Sequence, residues 1–178
     1  MSNTMTPRVF IVGASETGKS LLAKSVAREM DARGEIVTVY DPVLSDWSEN
    51  AFVTDNPDLF FEELAKVHSG GNPQLVFIDE ADTLLSISEK QNHWMLTRGR
   101  HYGFTTYVIT QRPALVAPTI RAMCNELFCF QISKDDAKLL AGDFAHEGIL
   151  QAPELRQGEF LHCYWRDKNK VVDKGRIF

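Results

Sequence analysis

The sequence predicts an α/β protein, a mostly parallel sheet with helices on both faces. Two observations carry this. Short apolar runs that read as buried strands alternate with helical segments along almost the whole chain. The first of these runs, RVFIVG at 8–13, leads through a Gly-bounded turn straight into a helix, the strand–loop–helix order of a phosphate-binding loop.

Taken in order, 8–13 is a short buried strand closed by Gly13, and ASETGKSLLAKSVAREMDARG (14–34) turns into a helix that stops near Gly34. EIVTVYDP (35–42) is a β-branched run closed by Asp-Pro. Residues 43–56 are polar and read as irregular. PDLFFEELAKVHSGG (57–71) has Pro57 at a first helical position and a Gly70-Gly71 stop; Leu59, Phe60, Leu64 and Val67 form its expected buried face. PQLVFIDEAD (73–82) is a buried strand that ends in three carboxylates. ISEKQNHWMLTRGRHYG (87–103) reads as one further helix, FTTYVITQ (104–111) as a strand and PTIRAMCN (118–125) as a short helix. ELFCFQI (126–132) is a strand, SKDDAKLLAGDF (133–144) a helix opened by Ser133, and LRQGEFLHCYWR with KVVD a closing hairpin. No Pro-, Gly- or Ser-rich linker interrupts the alternation, so residues 1–178 are expected to be a single domain.

Composition narrows the classes. The chain has 178 residues, is 44% hydrophobic and 24% charged, and has a net charge of −5. An acidic chain has no bulk affinity for a polyanion, so any nucleic-acid contact must come from a local patch. Cys124, Cys129 and Cys163 match no metal spacing and are expected to be buried free thiols in a reducing, intracellular setting. No membrane-spanning run or signal core is read. The five His residues are dispersed and are taken as surface or packing residues. Trp94, Tyr102 and Phe104 are taken as core rather than base-stacking aromatics.

GASETGKS fits G-x-x-x-x-G-K-[ST] and has the required strand before it and helix after it. Gly13 and Gly18 let the backbone curl so that its N–H groups converge on phosphate oxygens. Gly13, Ala14, Ser15, Glu16, Thr17, Gly18, Lys19 and Ser20 are therefore the candidate nucleotide-binding residues. Lys19 is expected to reach the β- and γ-phosphates, and the Ser20 hydroxyl to ligate Mg²⁺. In LVFIDEAD, Asp79 is the candidate Mg²⁺ carboxylate and Glu80 the candidate general base for an attacking water. Asp82 reads as an acid at a helix start. Asp41, at the end of the second strand, is a candidate acid near the nucleotide, behind the residues that touch it.

YVITQRP places Gln111 at a strand end, where its amide can orient that water and sense the γ-phosphate. Residues 90–125 hold Lys90, Arg98, Arg100, Arg112 and Arg121 and no Asp or Glu. This local positive excess suits either an arginine finger on a neighbouring subunit's γ-phosphate or contacts to DNA phosphates.

Taken together, GASETGKS, LVFIDEAD, RGRHYGFTTYVITQRP, IRAMCNELFCFQISKDDAKLL and LRQGEFL resemble the FtsK–HerA superfamily of P-loop motors, from about residue 8 to about residue 164. The resemblance implies a RecA-like P-loop NTPase core with an added strand and a catalytic glutamate. By size, the chain looks most like the minimal genome-packaging ATPases of viruses and phages. This implies ATP and Mg²⁺, translocation of double-stranded DNA, a homo-oligomeric ring (a hexamer favoured) and a capsid vertex or portal protein as docking partner. The implied location is the host cytoplasm or the virion vertex. A trans-acting arginine is implied without a choice among Arg98, Arg100 and Arg121. The alternatives are a phage assembly ATPase resembling zonula occludens toxin and a small P-loop kinase. Glu80 beside Asp79 speaks against the kinase, since a base for water serves a hydrolase.

Overall fold

The computed structural model describes residues 6–69, 72–166 and 169–178. Its strands are β1 (Arg8–Val12), β2 (Ile36–Tyr40), β3 (Phe52–Thr54), β4 (Gln74–Ile78), β5 (Phe104–Thr110), β6 (Glu126–Cys129), β7 (Glu159–Arg166) and β8 (Asn169–Arg176). Its helices are α1 (Lys19–Ala32), α2 (Pro57–Ser69), α3 (Ala81–Leu84), α4 (Trp94–Thr97), α5 (Pro118–Met123) and α6 (Lys134–Asp143). The strands form one sheet in the order β3-β2-β4-β5-β1-β6-β7-β8. From β3 to β6 every pairing is parallel, and β7 and β8 add an antiparallel hairpin. This is the expected fold class.

Strand side chains alternate between two cores, as the period of two requires. Val9 and Ile11 of β1, Val37 and Val39 of β2, and Leu75 and Phe77 of β4 meet Ala23 and Ala27 of α1 on one face. Lys19, Ala23 and Ala27 are the buried positions of α1, one turn apart, and the two alanines let the helix lie close to the sheet. Phe10, Val12, Val76 and Ile78 face the other way, against Phe60 and Leu64 of α2, Ile120 of α5 and Leu140 of α6. Leu59, expected in the buried face of α2, is instead 48% exposed, because Phe60 and Leu64 set the contact stripe.

Three other local expectations change. Residues 43–56 contain the edge strand β3, too short for its alternation to show in sequence. The loop before it is organised by Asp41, whose carboxylate accepts from the Val43 and Ser45 amides (2.8 and 3.0 Å), from Trp47 Nε1 (2.8 Å) and from the Ser45 hydroxyl. Asp41 is thus held by its own loop, and from there its charge still acts on Asp79. The single helix expected over 87–103 is broken into a 3₁₀ turn at Lys90–His93, α4, and a 3₁₀ turn at Gly99–Tyr102. Tertiary contacts override the helical run: Asn92 Nδ2 donates to Leu84 O (3.0 Å), and Trp94 packs on Tyr102 and Phe104 at 6.0 and 6.2 Å between ring centroids. The Gly70-Gly71 stop lies outside the described residues.

The three cysteines are buried free thiols, as expected. No helix among the described residues is long and apolar enough to cross a membrane. Ser133 caps α6, its hydroxyl accepting from the Asp136 amide at 3.1 Å. Ser133→Ala should therefore cost about 1 kcal/mol, read as a lower urea midpoint with an unchanged slope.

Candidate nucleotide-binding site

The sheet order builds the site. β5 lies between β1 and β4, paired to both. Val12 is level with Thr110, and Ile78 with Val108, so the chain leaves all three strands at one edge of the sheet. The loop after β1, the acids after β4 and Gln111 after β5 therefore converge where parallel α/β sheets hold ligands.

The loop is tightly constrained. A Cβ at Gly13 would lie 2.6 Å from both Phe130 Cβ and Thr17 Oγ1, and Gly18 has φ +120°, so neither position accepts a side chain without distortion. Ala14 N donates to Gln131 O (2.8 Å) and Thr17 Oγ1 to Ala14 O (2.8 Å), which fixes the curl. For the backbone N–H groups of residues 15–20, no acceptor occurs among the described residues. A run of unmatched donors at the start of a 14-residue helix fits a phosphate chain. Lys19 is buried, and its Nζ donates to Ala14 O at 2.7 Å. Burial lowers its pKa, while the charges of Asp79 and Glu80 act in the opposite sense.

Asp79 sits at the end of β4 and accepts from the Glu80 amide at 2.9 Å. Burial first, then the charges of Asp41 and Glu80, push its pKa up to about 6. A carboxylate so disfavoured as an anion gains from a cation, and the Ser20 hydroxyl in the first turn of α1 supplies a second oxygen. The residues therefore fit Mg²⁺ shared with phosphate oxygens. Among the described residues no cluster of three or more His, Cys, Asp or Glu offers another metal site.

Glu80 has left-handed backbone angles, φ 46° and ψ 47°, at the entry to α3. A non-Gly residue held there is strained, and here the strain turns its side chain toward the β5 end. Gln111 Nε2 donates to Glu80 Oε1 at 2.9 Å. Thr110, which sequence reasoning passed over, braces the same edge: its hydroxyl donates to Asp82 Oδ1 (2.9 Å) and accepts from the Arg112 amide (3.0 Å). Only a strand-end threonine beside a helix-start acid hinted at it.

The model of the ATPase family associated with various cellular activities (AAA) matches residues 9–131, from β1 through the acidic strand to the end of β6. The chain belongs to this AAA family. Protein P9 of Pseudoalteromonas phage PM2 is 29% identical over 85 residues, 47% of this AAA chain and 39% of P9. An "AAA ATPase forming ring-shaped complexes" of Bifidobacterium animalis subsp. lactis is 36% identical over 84 residues, 43% of this chain and 15% of that protein. The matched stretch is thus well under half the length of these relatives. The genome packaging NTPase B204 of Sulfolobus turreted icosahedral virus 2, in complex with AMPPCP, superposes with a TM-score of 0.81 at 19% identity, covering 98% of this chain and 100% of that one. The N-terminal domain of zonular occludens toxin from Neisseria meningitidis gives a TM-score of 0.57 at 15% identity over 98% and 95% of the two chains. The family match and the B204 fold agree with the resemblance drawn from the motifs.

The arginines of the AAA chain divide. Arg98 is exposed, meets no carboxylate among the described residues, and lines a cleft of about 740 Å³ with Lys90, His93, Trp94 and Pro118. Arg112 is exposed. The backbone of Arg100 lies in the Gly99–Tyr102 turn, while its side chain lies outside the described residues. Arg121, read from sequence as able to act in cis, to fix a subunit contact or to serve as the finger, is engaged within the chain. It is 5% exposed, bonds Asp143 Oδ2 through Nε at 2.6 Å, and gives Nη1 to the carbonyls of Pro113 and Val116 (3.2 and 2.5 Å). It braces the segment after β5 against α6 and cannot extend to a neighbour.

Sequence reasoning also missed the hairpin's part in the loop. Gly158 N donates to Thr17 O (3.0 Å) and Gln157 Nε2 to Glu16 O (3.1 Å). A Gln-Gly pair far from the loop carries no motif that would announce this.

Two measurements follow from these environments. Folded Asp79 holds its proton to about 6 against an ordinary 3.8, so its ionisation destabilises the fold above about pH 6 and does not below about pH 4. Without nucleotide or metal, Asp79→Asn should be the more stable protein near neutral pH, by on the order of 2 kcal/mol, and thermal melts of the two should converge toward pH 4. Arg121→Ala should cost about 2 kcal/mol of stability, because it leaves the Pro113 and Val116 carbonyls without their donor; a melting point equal to wild type would remove Arg121 from its bracing role.

Proposed function

We propose that this AAA chain is a motor that hydrolyses ATP to move double-stranded DNA, packaging a viral genome into a capsid. The observation that carries the reading is the 2.9 Å bond from Gln111 to Glu80 across the sheet edge, beside Lys19 and Asp79. It joins the acid suited to activate water to a strand end suited to sense the γ-phosphate.

The unmatched N–H groups of residues 15–20 and the Lys19 ammonium hold the phosphates. Ser20 and Asp79 would hold Mg²⁺, which would supply charge neutralisation at the phosphate oxygens. Gln111 occupies Glu80 Oε1, which leaves Oε2 to take the proton of a water aligned for attack. Gln111 is thereby a positioning residue whose release or retention of Glu80 follows the γ-phosphate. Arg98 and Arg100 are the remaining candidates for a finger in trans. A homo-oligomeric ring, six-membered by the resemblance, is supported by the ring-forming relative. DNA as the moved substrate accords with the DNA-packaging role that the B204 name carries; a capsid vertex or portal partner, and a place in the host cytoplasm or at the virion vertex, follow from the family resemblance. In a ring, the exposed Lys90, Arg98 and Arg112 from several copies would add their phosphate contacts, which would offset the acidity of each chain.

Steady-state hydrolysis at low salt, with and without long duplex DNA, tests this. Duplex should raise the rate, and added salt should remove the gain. Glu80→Gln should lower turnover by about 100-fold or more with nucleotide binding kept. A rate indifferent to DNA would favour the assembly ATPase, and turnover only with a small acceptor would favour the kinase.

A further inference from the structure

The phosphate loop does not end the pocket. A cleft of about 260 Å³ continues from it, lined by Glu16, Gly18, Lys19, Ser20, Leu21, Gln157 and Phe178. Its lining joins phosphate-loop residues to an aromatic ring.

Phe178 is 59% exposed, yet it is held in place. Ile177 N donates to Gly158 O at 3.0 Å, and Gly158 N donates in turn to Thr17 O. A Cβ on Gly158 would come within 2.7 Å of Phe178 Cε2 and 2.8 Å of Cζ, so the ring rests on a residue that must lack a side chain. A Cβ on Gly18 would meet Ile177 Cδ1 at 2.4 Å. Residues 157, 158, 177 and 178 are thus fastened to the loop by backbone bonds and close packing. Leu21, also lining the cleft, is 47% exposed. Phe178 and Leu21 are thus two exposed apolar side chains from different elements lining one cleft beside phosphate-loop donors, and the ring face is a surface on which a flat group can stack.

We infer that Phe178 is the platform on which the base of the bound nucleoside triphosphate stacks, with Leu21 beside it and Gln157 closing the floor. The inference rests on the proposed nucleotide site and adds the base-binding half that no sequence motif marks. Because the platform hangs from Gly158 and Thr17, the base is held by the same backbone that holds the phosphates.

Calorimetric titration of ATP and of inorganic tripolyphosphate, each with Mg²⁺, into wild type and Phe178→Ala separates the outcomes. The expected result is ATP binding weakened about tenfold in Phe178→Ala, tripolyphosphate binding unchanged, and ATP binding recovered in Phe178→Trp with its fluorescence quenched by ATP and not by tripolyphosphate. Equal ATP affinity in Phe178→Ala and wild type, or equal weakening of both ligands, would overturn the platform while leaving the phosphate site standing. Failure of wild type to bind either ligand would overturn the nucleotide reading itself and the platform with it.

Discussion

The parallel ladder that seats β5 between β1 and β4 is the constraint on which the rest of the site depends. Backbone hydrogen bonds on both sides fix its register, so Gln111 emerges level with the phosphate loop on one hand and the acidic strand end on the other. A one-residue slip would turn Val108 and Ile109 to the wrong cores and carry Gln111 away from Glu80. The apolar alternation of β5 thus specifies both the core and the position of a polar side chain that the core never touches.

Around that ladder the site is assembled from groups held in costly states. Asp79 is kept where ionisation is disfavoured, Lys19 where its charge is partly desolvated, and Glu80 in a left-handed backbone. None of these is stable chemistry in isolation. A ligand that brought opposite charges would offset the first two costs, while the backbone cost at Glu80 is borne by the fold around it. The buried Arg121–Asp143 pair has the opposite character: its needs are met within the chain, and it serves as a strut.

What could be read from sequence follows from the range of the interactions involved. The phosphate loop was legible because its glycines, lysine and serine are local in sequence and act within one turn. The central strands were legible because each is a buried apolar run, and the Ser133 cap because the helix begins beside it; three-residue β3 was too short to show. The break of 87–103 was not, since it depends on Trp94 packing on Tyr102 and Phe104, and on Asn92 bonding to Leu84 O. Arg121 looked like a finger because a buried and an exposed arginine read alike until Asp143, 22 residues later, is placed beside it. Gln157 and Phe178 were invisible for the same reason at greater range: the bond from Gln157 to Glu16 spans 141 residues.

The two rims of the sheet also bear on how copies of the chain meet. A bare outer strand invites another chain to extend the sheet. Here β3 offers only three residues, and β8 carries Lys170, Asp173, Lys174 and Arg176 along its length. Strand-to-strand growth is thereby discouraged at both ends, which guards against open-ended fibres. Any association of copies would then have to use loop and helix surfaces, where side-chain shape and charge, rather than the generic backbone, choose the neighbour.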